Sequence, residues 1–127
     1  MNLQTWGWTY AIVFIVLGIL GLIATTGGLF LGTFILGTGL SIAFLGTGIL
    51  AGIAALISPA ATRLFFEVFG VLFALSAIVG FIQGTSVLGI VGVNAATNVF
   101  DLVVALLSLY LGFSPASERE ILVERIA

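Results

Sequence analysis

Residues 93–113, with the sequence VNAATNVFDLVVALLSLYLGF, form a hydrophobic stretch that is long enough to cross a membrane. Polar residues near its start, at positions 94, 98 and 101, follow i, i+4, i+7 spacing and therefore share one face of a helix. We expect this polar stripe, Asn94, Asn98 and Asp101, to face another helix of the same bundle or of a neighbouring chain. A carboxylate within an apolar helix is costly, so Asp101 is a candidate functional residue.

The composition indicates an integral membrane protein. Of the 127 residues, 61% are hydrophobic and 6% are charged, whereas soluble domains carry roughly a quarter of charged residues. The chain has room for about four spans of about 20 residues each. Long unbroken apolar runs exclude the alternating pattern of a transmembrane barrel. We therefore predict an all-α fold, a four-helix transmembrane bundle that forms a single membrane domain.

Turn and capping signals divide this domain into spans. The predicted spans are residues 6–24, 34–57, 59–83 and 95–113. Ser58-Pro59 supplies an N-cap followed by proline at the first helical position. Residues 114–127 form a short amphipathic tail that the capping-box pattern Ser117-x-x-Glu120 opens. This tail is too short to be helical alone in water, so it lies on the membrane surface or docks on a neighbour.

Small residues are concentrated in the second span. They fall close to four residues apart and include a GxxxG motif: Gly37, Ser41, Gly48 and Gly52. In lipid, small residues let helix backbones approach closely and gain dispersion contacts. We predict a tight helix–helix seam here, with a groove for a lipid, a pigment or a substrate as the alternative.

Two charged residues lie near the start of the third span. Arg63 and Glu67 are separated by one helical turn, so they can pair on one face. They are close enough to the helix start for the arginine to reach the membrane surface. We predict an interfacial ion pair. A proton-carrying or partner-binding Glu67 is the alternative.

The two halves of the chain resemble each other. Residues 10–21 align with 69–80, and residues 55–60, which contain Ser-Pro-Ala, align with 111–116. The change of offset between these matches places one short insertion or deletion in the middle. Each half holds two spans, so both insert in the same direction. We predict two helical hairpins that are related as a parallel repeat by an axis along the membrane normal.

The three arginines indicate the orientation. With four spans, both termini and the connection that precedes Arg63 lie on one side of the membrane, and all three arginines are there. The positive-inside rule therefore places both termini in the cytoplasm.

The segment SPAATRLFFEVFG, residues 58–70, together with residues 77–81, Asn94 and Asn98, resembles a known family. It is similar to the small four-helix prokaryotic membrane proteins grouped as domain of unknown function 4383, over essentially the whole chain. The resemblance implies a four-helix bundle without an assigned activity, in a prokaryotic inner membrane or a thylakoid-type membrane. In that family the second and fourth spans typically carry Asn-x-x-His. Here Asp101 stands in place of the fourth-span histidine and residues 41–48 hold neither residue, so histidine ligation of a metal, haem or pigment is not carried over.

The inventory of reactive residues is small. The chain contains no Cys, His or Lys, so thiol nucleophiles, thiolate metal sites and a basic surface for nucleic acid are absent. Glu67 and Asp101 should lie roughly 10 Å apart in height, on the basis of the helical rise, which is too far for an acid–base pair. We therefore predict that the protein is not an enzyme and has no metal or cofactor. A lipid or a pigment remains an alternative ligand, with Asn98 and Gln83 as weak candidates for contacting it.

Three functions follow as hypotheses. The favoured one is a structural or accessory subunit that packs against other membrane protein subunits and lipids, or against copies of itself. The first alternative is a small transporter or a proton- or cation-conducting protein that uses Asp101. The second alternative is a module that binds a lipid or a pigment.

Overall fold

Five helices account for most of the chain. The structure, a computed structural model, describes residues 2–23, 29–30, 34–35, 38–84, 86–87, 91–92 and 95–126. Within these residues the helices are α1 (Leu3–Ile23), α2 (Thr38–Ile57), α3 (Pro59–Gln83), α4 (Ala95–Phe113) and α5 (Pro115–Ile126). The first four are long and apolar enough to cross a membrane. The predicted all-α, four-helix transmembrane bundle is therefore confirmed.

A short β-hairpin that the sequence did not predict lies between the two spanning helices of each half. The strands are β1 (Leu29–Phe30), β2 (Phe34–Ile35), β3 (Ser86–Val87) and β4 (Val91–Gly92). β1 pairs with β2 and β3 with β4, both antiparallel and in the same register, with Leu29 opposite Ile35 and Ser86 opposite Gly92. Each half is thus a helix–hairpin–helix unit. The differences in spacing between the halves fall on both sides of the hairpin, and are not one change in the middle.

The first hairpin also moves the start of α2. The predicted second span began at residue 34, but the helix begins at Thr38 because residues 34 and 35 form β2. Aromatic and β-branched residues favour strands, and the glycines on either side of this strand disfavour a helix. Gly37 and Asn94, two residues singled out from the sequence, lie outside the described residues.

Within each half the two helices pack at backbone distance. α1 lies mainly against α2, and α3 lies mainly against α4. A Cβ atom placed on Gly18 would lie 2.8 Å from the backbone oxygen of Ser41, and one on Gly112 would lie 2.8 Å from the backbone nitrogen of Glu67. Both distances are shorter than real Cβ contacts, so these seams require glycine.

The centre of the bundle is a cluster of aromatic rings with one phenylalanine from each spanning helix. Phe14 lies 5.5 Å from Phe73, its counterpart in the repeat, and Phe44 lies 5.6 Å from its counterpart Phe100 (centroid distances). Residues that contact their own counterparts lie close to the axis that relates two copies. The packing of the bundle therefore follows the internal repeat that the sequence predicted.

The two Ser-Pro-Ala segments are equivalent helix caps. The side-chain oxygen of Ser58 accepts a hydrogen bond from the backbone N–H of Ala61 at 3.0 Å and caps α3. The side-chain oxygen of Ser114 accepts from the backbone N–H of Ser117 at 3.2 Å and caps α5. These bonds satisfy N–H groups that have no partner within the helix.

The predicted capping box at Ser117 is wrong, because α5 already begins at Pro115 and Ser117 lies within its first turns. Glu120 has a different role. Its carboxylate accepts hydrogen bonds from the backbone N–H of Leu3 at 3.0 and 3.1 Å and so caps the start of α1. Together with the buried side chain of Ile121, this contact docks α5 on the end of the bundle.

Candidate intramembrane binding cavity

Asp101 lies at the floor of a cavity between α2 and α3. The cavity has a volume of about 350 Å³, and the side chains lining it include Thr47 of α2, Ser76 of α3 and Asp101 of α4. Asp101 is only 1% exposed. Leu50 and Leu72, which also line the cavity, are about half exposed on the lipid-facing surface (48% and 50%). The cavity therefore opens sideways towards the lipid.

Small residues of α2 leave this space open. A Cβ atom on Gly46 would have no neighbour within 4 Å, whereas one on Gly48 would lie 2.8 Å from the backbone nitrogen of Ile15. Gly48 therefore serves the α1–α2 seam, and Gly46 lines the cavity. Of the other predicted packing residues, Ser41 is fully buried in this seam. A Cβ atom on Gly52 would lie at an ordinary contact distance of 3.5 Å from the Cβ atom of Ala11.

The polar groups at the floor are incompletely paired. The hydroxyl of Ser76 hydrogen-bonds the carboxyl group of Asp101, but the second carboxyl oxygen, Oδ1, has no partner among the described residues. The hydroxyl of Thr47 donates to the backbone oxygen of Ala43 in its own helix at 2.8 Å. An unsatisfied buried acceptor costs about 1–3 kcal/mol. The lining residue Asp101 thus has a buried polar atom that the described residues leave unsatisfied.

Asn98 faces the same helix as Asp101 but lies outside the cavity. Its side chain is 2% exposed and packs on Gly80 of α3, where a Cβ atom would collide with the amide oxygen. That oxygen also has no partner within the described part of the chain. Gln83, the other weak candidate ligand, is exposed at the end of α3 and does not line the cavity. Neither amide therefore belongs to the described lining of the cavity that Asp101 reaches.

Arg63 and Glu67 lie towards the opposite end of α3. The guanidinium Nε of Arg63 is 3.4 Å from Glu67 Oε1, and it donates a hydrogen bond to the backbone oxygen of Gly112 at 2.8 Å. Both side chains are a little over a quarter exposed. Glu67 contacts Gly112, which lies about 16 Å along α4 from Asp101 at 1.5 Å per residue. The two carboxylates are thus not an acid–base pair.

A matching polar contact occurs in the first half, and the sequence did not predict it. Gln4, the counterpart of Arg63 in the repeat, donates from Nε2 to the backbone oxygen of Ala55 at 2.8 Å. In each half, a polar side chain near the start of the first helix satisfies a carbonyl at the end of the second, where helices leave such groups unpaired. Because Gln4 aligns with Arg63 in the repeat, the sequence alignment could have indicated this contact.

The polar stripe of α4 continues beyond Asp101. Ser108, one further heptad along the helix, is fully buried, and its hydroxyl lies 2.8 Å from that of Tyr10 on α1. Ala105 and Gly112 are buried on the same face. Extending the i, i+4, i+7 spacing of positions 94, 98 and 101 would have found Ser108, which links the two halves of the bundle.

A second cavity lies between α1 and α4 at the position that the repeat makes equivalent. Its volume is about 180 Å³. Five of its lining residues are counterparts of residues that line the larger cavity: Tyr10, Val13, Phe14, Phe100 and Val103 correspond to Phe69, Leu72, Phe73, Phe44 and Thr47. The counterparts of Asp101, Ser76 and Gly46 are Leu45, Leu17 and Leu102. One copy of the cavity is therefore smaller and lacks the polar groups of the other.

The arrangement is that of a binding site. An apolar cavity of a few hundred cubic ångströms with a few convergent polar groups is typical of ligand sites, and Asp101 supplies the polar anchor. Among the described residues, no group of three or more His, Cys, Asp or Glu side chains is placed to hold a metal ion.

Comparisons with known proteins agree with this architecture at the level of the family. No curated protein and no solved structure matches the chain. A family model described as Domain of unknown function (DUF4383) matches residues 4–114, which include all four spanning helices. The chain therefore belongs to the DUF4383 family.

Proposed function

We propose that this protein is a non-enzymatic membrane module that holds a lipid-soluble molecule in the cavity between α2 and α3. The observation that carries the proposal is the unpaired carboxyl oxygen of Asp101, buried at the floor of a cavity that opens to lipid. A buried ionisable residue in a spanning helix is expensive and marks a functional site by default. Of the functions predicted from the sequence, the binding module is the one that this geometry supports best.

Replacing Gly46 with leucine tests this proposal. A Cβ atom at this position would have no neighbour within 4 Å, so the leucine side chain would project into the cavity and occupy part of it. Native mass spectrometry of protein extracted in polymer nanodiscs should detect a bound small molecule on the wild type and none on Gly46→Leu. Ala60→Leu adds a similar bulk at an exposed position at the start of α3 and should retain the molecule. Identical bound masses on the wild type and Gly46→Leu would refute the proposal.

A second function, the accessory subunit, is favoured by the surface of α5. Leu122, Val123 and Ile126 lie outside the four spans and are 51%, 61% and 86% exposed. A helix docked on the end of the bundle with these side chains uncovered offers a contact to the membrane surface or to another subunit. Mild extraction followed by native electrophoresis, with a variant that carries both Leu122→Ser and Val123→Ser, would distinguish a subunit contact from a membrane contact. If the wild type migrates as part of a larger complex and the variant does not, α5 contacts another subunit. If the wild type migrates alone, the accessory-subunit function is contradicted.

For the orientation, we propose that both termini lie in the cytoplasm. The support is the position of the arginines: Arg63 lies at the start of α3, and Arg119 and Arg125 lie in α5, which docks on the same end of the bundle. Loops rich in arginine are retained on the cytoplasmic side. A reporter enzyme that is active only outside the cytoplasm should be inactive when fused to the C-terminus, and activity there would reverse the assignment.

A further inference from the structure

We infer that the molecule held between α2 and α3 is a single-chain amphiphile whose small head group donates a hydrogen bond, as a hydroxyl or a protonated amine does. This inference rests on the proposed function and adds the chemical class of the ligand. Four features of the cavity lead to it: the hydrogen-bonding capacity of its floor, its charge, its dimensions and its contrast with the equivalent cavity.

The floor carries an unpaired hydrogen-bond acceptor. A carboxyl oxygen accepts hydrogen bonds, and Oδ1 of Asp101 is unpaired among the described residues. The two hydroxyl protons nearby are already used, since Ser76 bonds the carboxyl group and Thr47 donates to the backbone of α2. A ligand that only accepts hydrogen bonds, such as an ester or a ketone, would leave Oδ1 unpaired. A ligand that donates would satisfy Oδ1.

The charge of the site disfavours anionic lipids. The described lining includes no arginine or lysine, and its ionisable side chain is the acid Asp101. Arg63 is bonded to Glu67 and to the backbone of Gly112, about 16 Å along α4 from Asp101. A phosphate or a free carboxylate would therefore be buried in a medium of low dielectric constant without a cation to pair with, which is costly. Ordinary phospholipid head groups do not fit this floor.

The dimensions suit one chain. The lining residues of α2 run from Leu40 to Leu50, a length of about 15 Å at the helical rise. A volume of about 350 Å³ holds about 12 groups the size of a water molecule or a methylene, at roughly 30 Å³ each. Asp101 lies about 9 Å from the start of α4, with the apolar part of the cavity extending from it towards the other face. A ligand with its head group at Asp101 and its chain directed towards Leu50 would therefore have the same orientation as the lipids of the leaflet in which α4 begins.

The equivalent cavity shows that the fold does not require these groups. The equivalent positions hold Leu45 in place of Asp101, Leu17 in place of Ser76 and Val103 in place of Thr47. Both cavities are nevertheless lined by central phenylalanines, Phe44 and Phe73 in one and their counterparts Phe100 and Phe14 in the other. The acid, the hydroxyls and the small Gly46 occur together in one copy only. A purely structural role would not concentrate them there.

Fluorescence quenching by brominated amphiphiles can measure whether the cavity prefers a head group that donates a hydrogen bond. In a background where Trp6 and Trp8 are replaced by phenylalanine, Leu50→Trp places a fluorescent residue at the lipid-facing edge of the cavity. The protein is reconstituted in phosphatidylcholine nanodiscs and titrated with 12-bromododecanol, 12-bromododecylamine or methyl 12-bromododecanoate. Bromine at the chain end quenches the tryptophan when the chain occupies the cavity.

We expect the alcohol or the amine to reach half-quenching at about tenfold lower mole fraction than the methyl ester, the effect of one well-formed buried hydrogen bond. Asp101→Leu, which copies the residue of the equivalent cavity, should remove this preference. If only the amine quenches better than the ester, the ligand is cationic. If the alcohol also quenches better than the ester, a neutral hydrogen-bond donor is sufficient. Circular dichroism checks that the variant is folded, and Ser76→Ala should weaken the preference without removing it.

Two contrary results have different meanings. If the ester quenches as well as the alcohol and the amine, and Gly46→Leu still abolishes quenching by all three, the cavity binds chains but does not select donors, and this inference fails. If Gly46→Leu leaves the quenching by all three unchanged, the cavity is not occupied, and the proposed function fails with it.

Discussion

Individual glycine residues in this protein have two different roles: some allow close helix packing, and one lines the cavity. Gly18, Gly48, Gly70 and Gly112 lie where another helix passes so closely that a Cβ atom would meet it at 3.0 Å or less. Gly46 faces open space and lines the cavity. A glycine-rich helix therefore does not by itself indicate packing, since the neighbouring helix decides which role each residue has.

Gly18→Ala should destabilise the bundle, because the added methyl group would lie 2.8 Å from backbone atoms of Ser41 and Leu45 and the two helices must separate. We expect a loss of about 1–3 kcal/mol in the free energy of unfolding, typical of overpacking. Unfolding in mixed micelles with increasing dodecyl sulfate, followed by circular dichroism, measures it. Gly46→Ala is the matched control and should be within about 0.5 kcal/mol of the wild type. Equal effects of the two substitutions would contradict the assigned roles.

Tyr10→Phe removes one hydroxyl and retains the ring in its aromatic contacts with Phe14 and Phe66. The hydroxyl of Ser108, at 2.8 Å, would lose its partner across the bundle. We expect the same unfolding experiment to show a loss of about 1 kcal/mol, near the usual value for one hydrogen bond between membrane helices. Tyr110→Phe makes the same change at a side chain that is more than half exposed and should have little effect. A loss at Tyr110 as large as that at Tyr10 would show that the bond is not the cause.

At the scale of secondary-structure elements, α5 depends on contacts at two points. Ser114 caps its start, and Glu120 ties it to the first backbone N–H of α1. With 12 residues, this helix is too short to be stable in isolation. Its folding is therefore coupled to its contacts with the end of the bundle, and α5 should be the helix that is least protected against hydrogen–deuterium exchange.

Ser114→Ala should loosen α5 and leave the spans intact. Loss of an N-cap costs about 1 kcal/mol, which is a large fraction of the free energy that stabilises a short helix against local unfolding. Hydrogen–deuterium exchange should therefore become faster in residues 115–126 and stay unchanged in α4. The equivalent substitution Ser58→Ala lies between two long spanning helices and should not produce such local opening. Protection of α5 that is the same in Ser114→Ala and the wild type would mean that Glu120 and Ile121 hold it without the cap.

At the scale of the whole molecule, two copies of a helix–hairpin–helix unit share one aromatic centre and have diverged around it. The copies keep the serine caps, the polar contact to the end of the second helix and the central phenylalanines. They differ in the two equivalent cavities, one of which carries Asp101. We interpret the shared features as the requirements of the fold and the differing ones as the specific function.

The parallel repeat predicts that equivalent positions are reached from the same side of the membrane. The natural chain contains no cysteine, so Ala60→Cys and Ala116→Cys, made singly at counterpart positions, give clean labelling sites. We expect an impermeant maleimide to label both from one side of sealed vesicles and neither from the other. Labelling of the two positions from opposite sides would refute the parallel arrangement.

The membrane class, the four spans and the repeat could be predicted from the sequence, because each of these depends on local hydrophobicity and on capping residues that lie next to the elements they end. The bounds of α3 and α4 agree with the predicted spans, since Ser58-Pro59 and Ser114-Pro115 set helix ends locally. The start of α2 was predicted too early, because the pairing of Phe34 and Ile35 with β1 is a contact between strands and not a property of either residue.

Which polar residues line the cavity could not be predicted from the sequence, because it depends on the packing between helices. Asn98 and Asp101 share a face of α4, but one packs into the seam with Gly80 and the other reaches the cavity between α2 and α3. Periodicity places residues on a face, and it does not say how far the facing helices stand apart. That separation depends on side chains such as Gly46 on a different helix, so the cavity exists only in the assembled bundle.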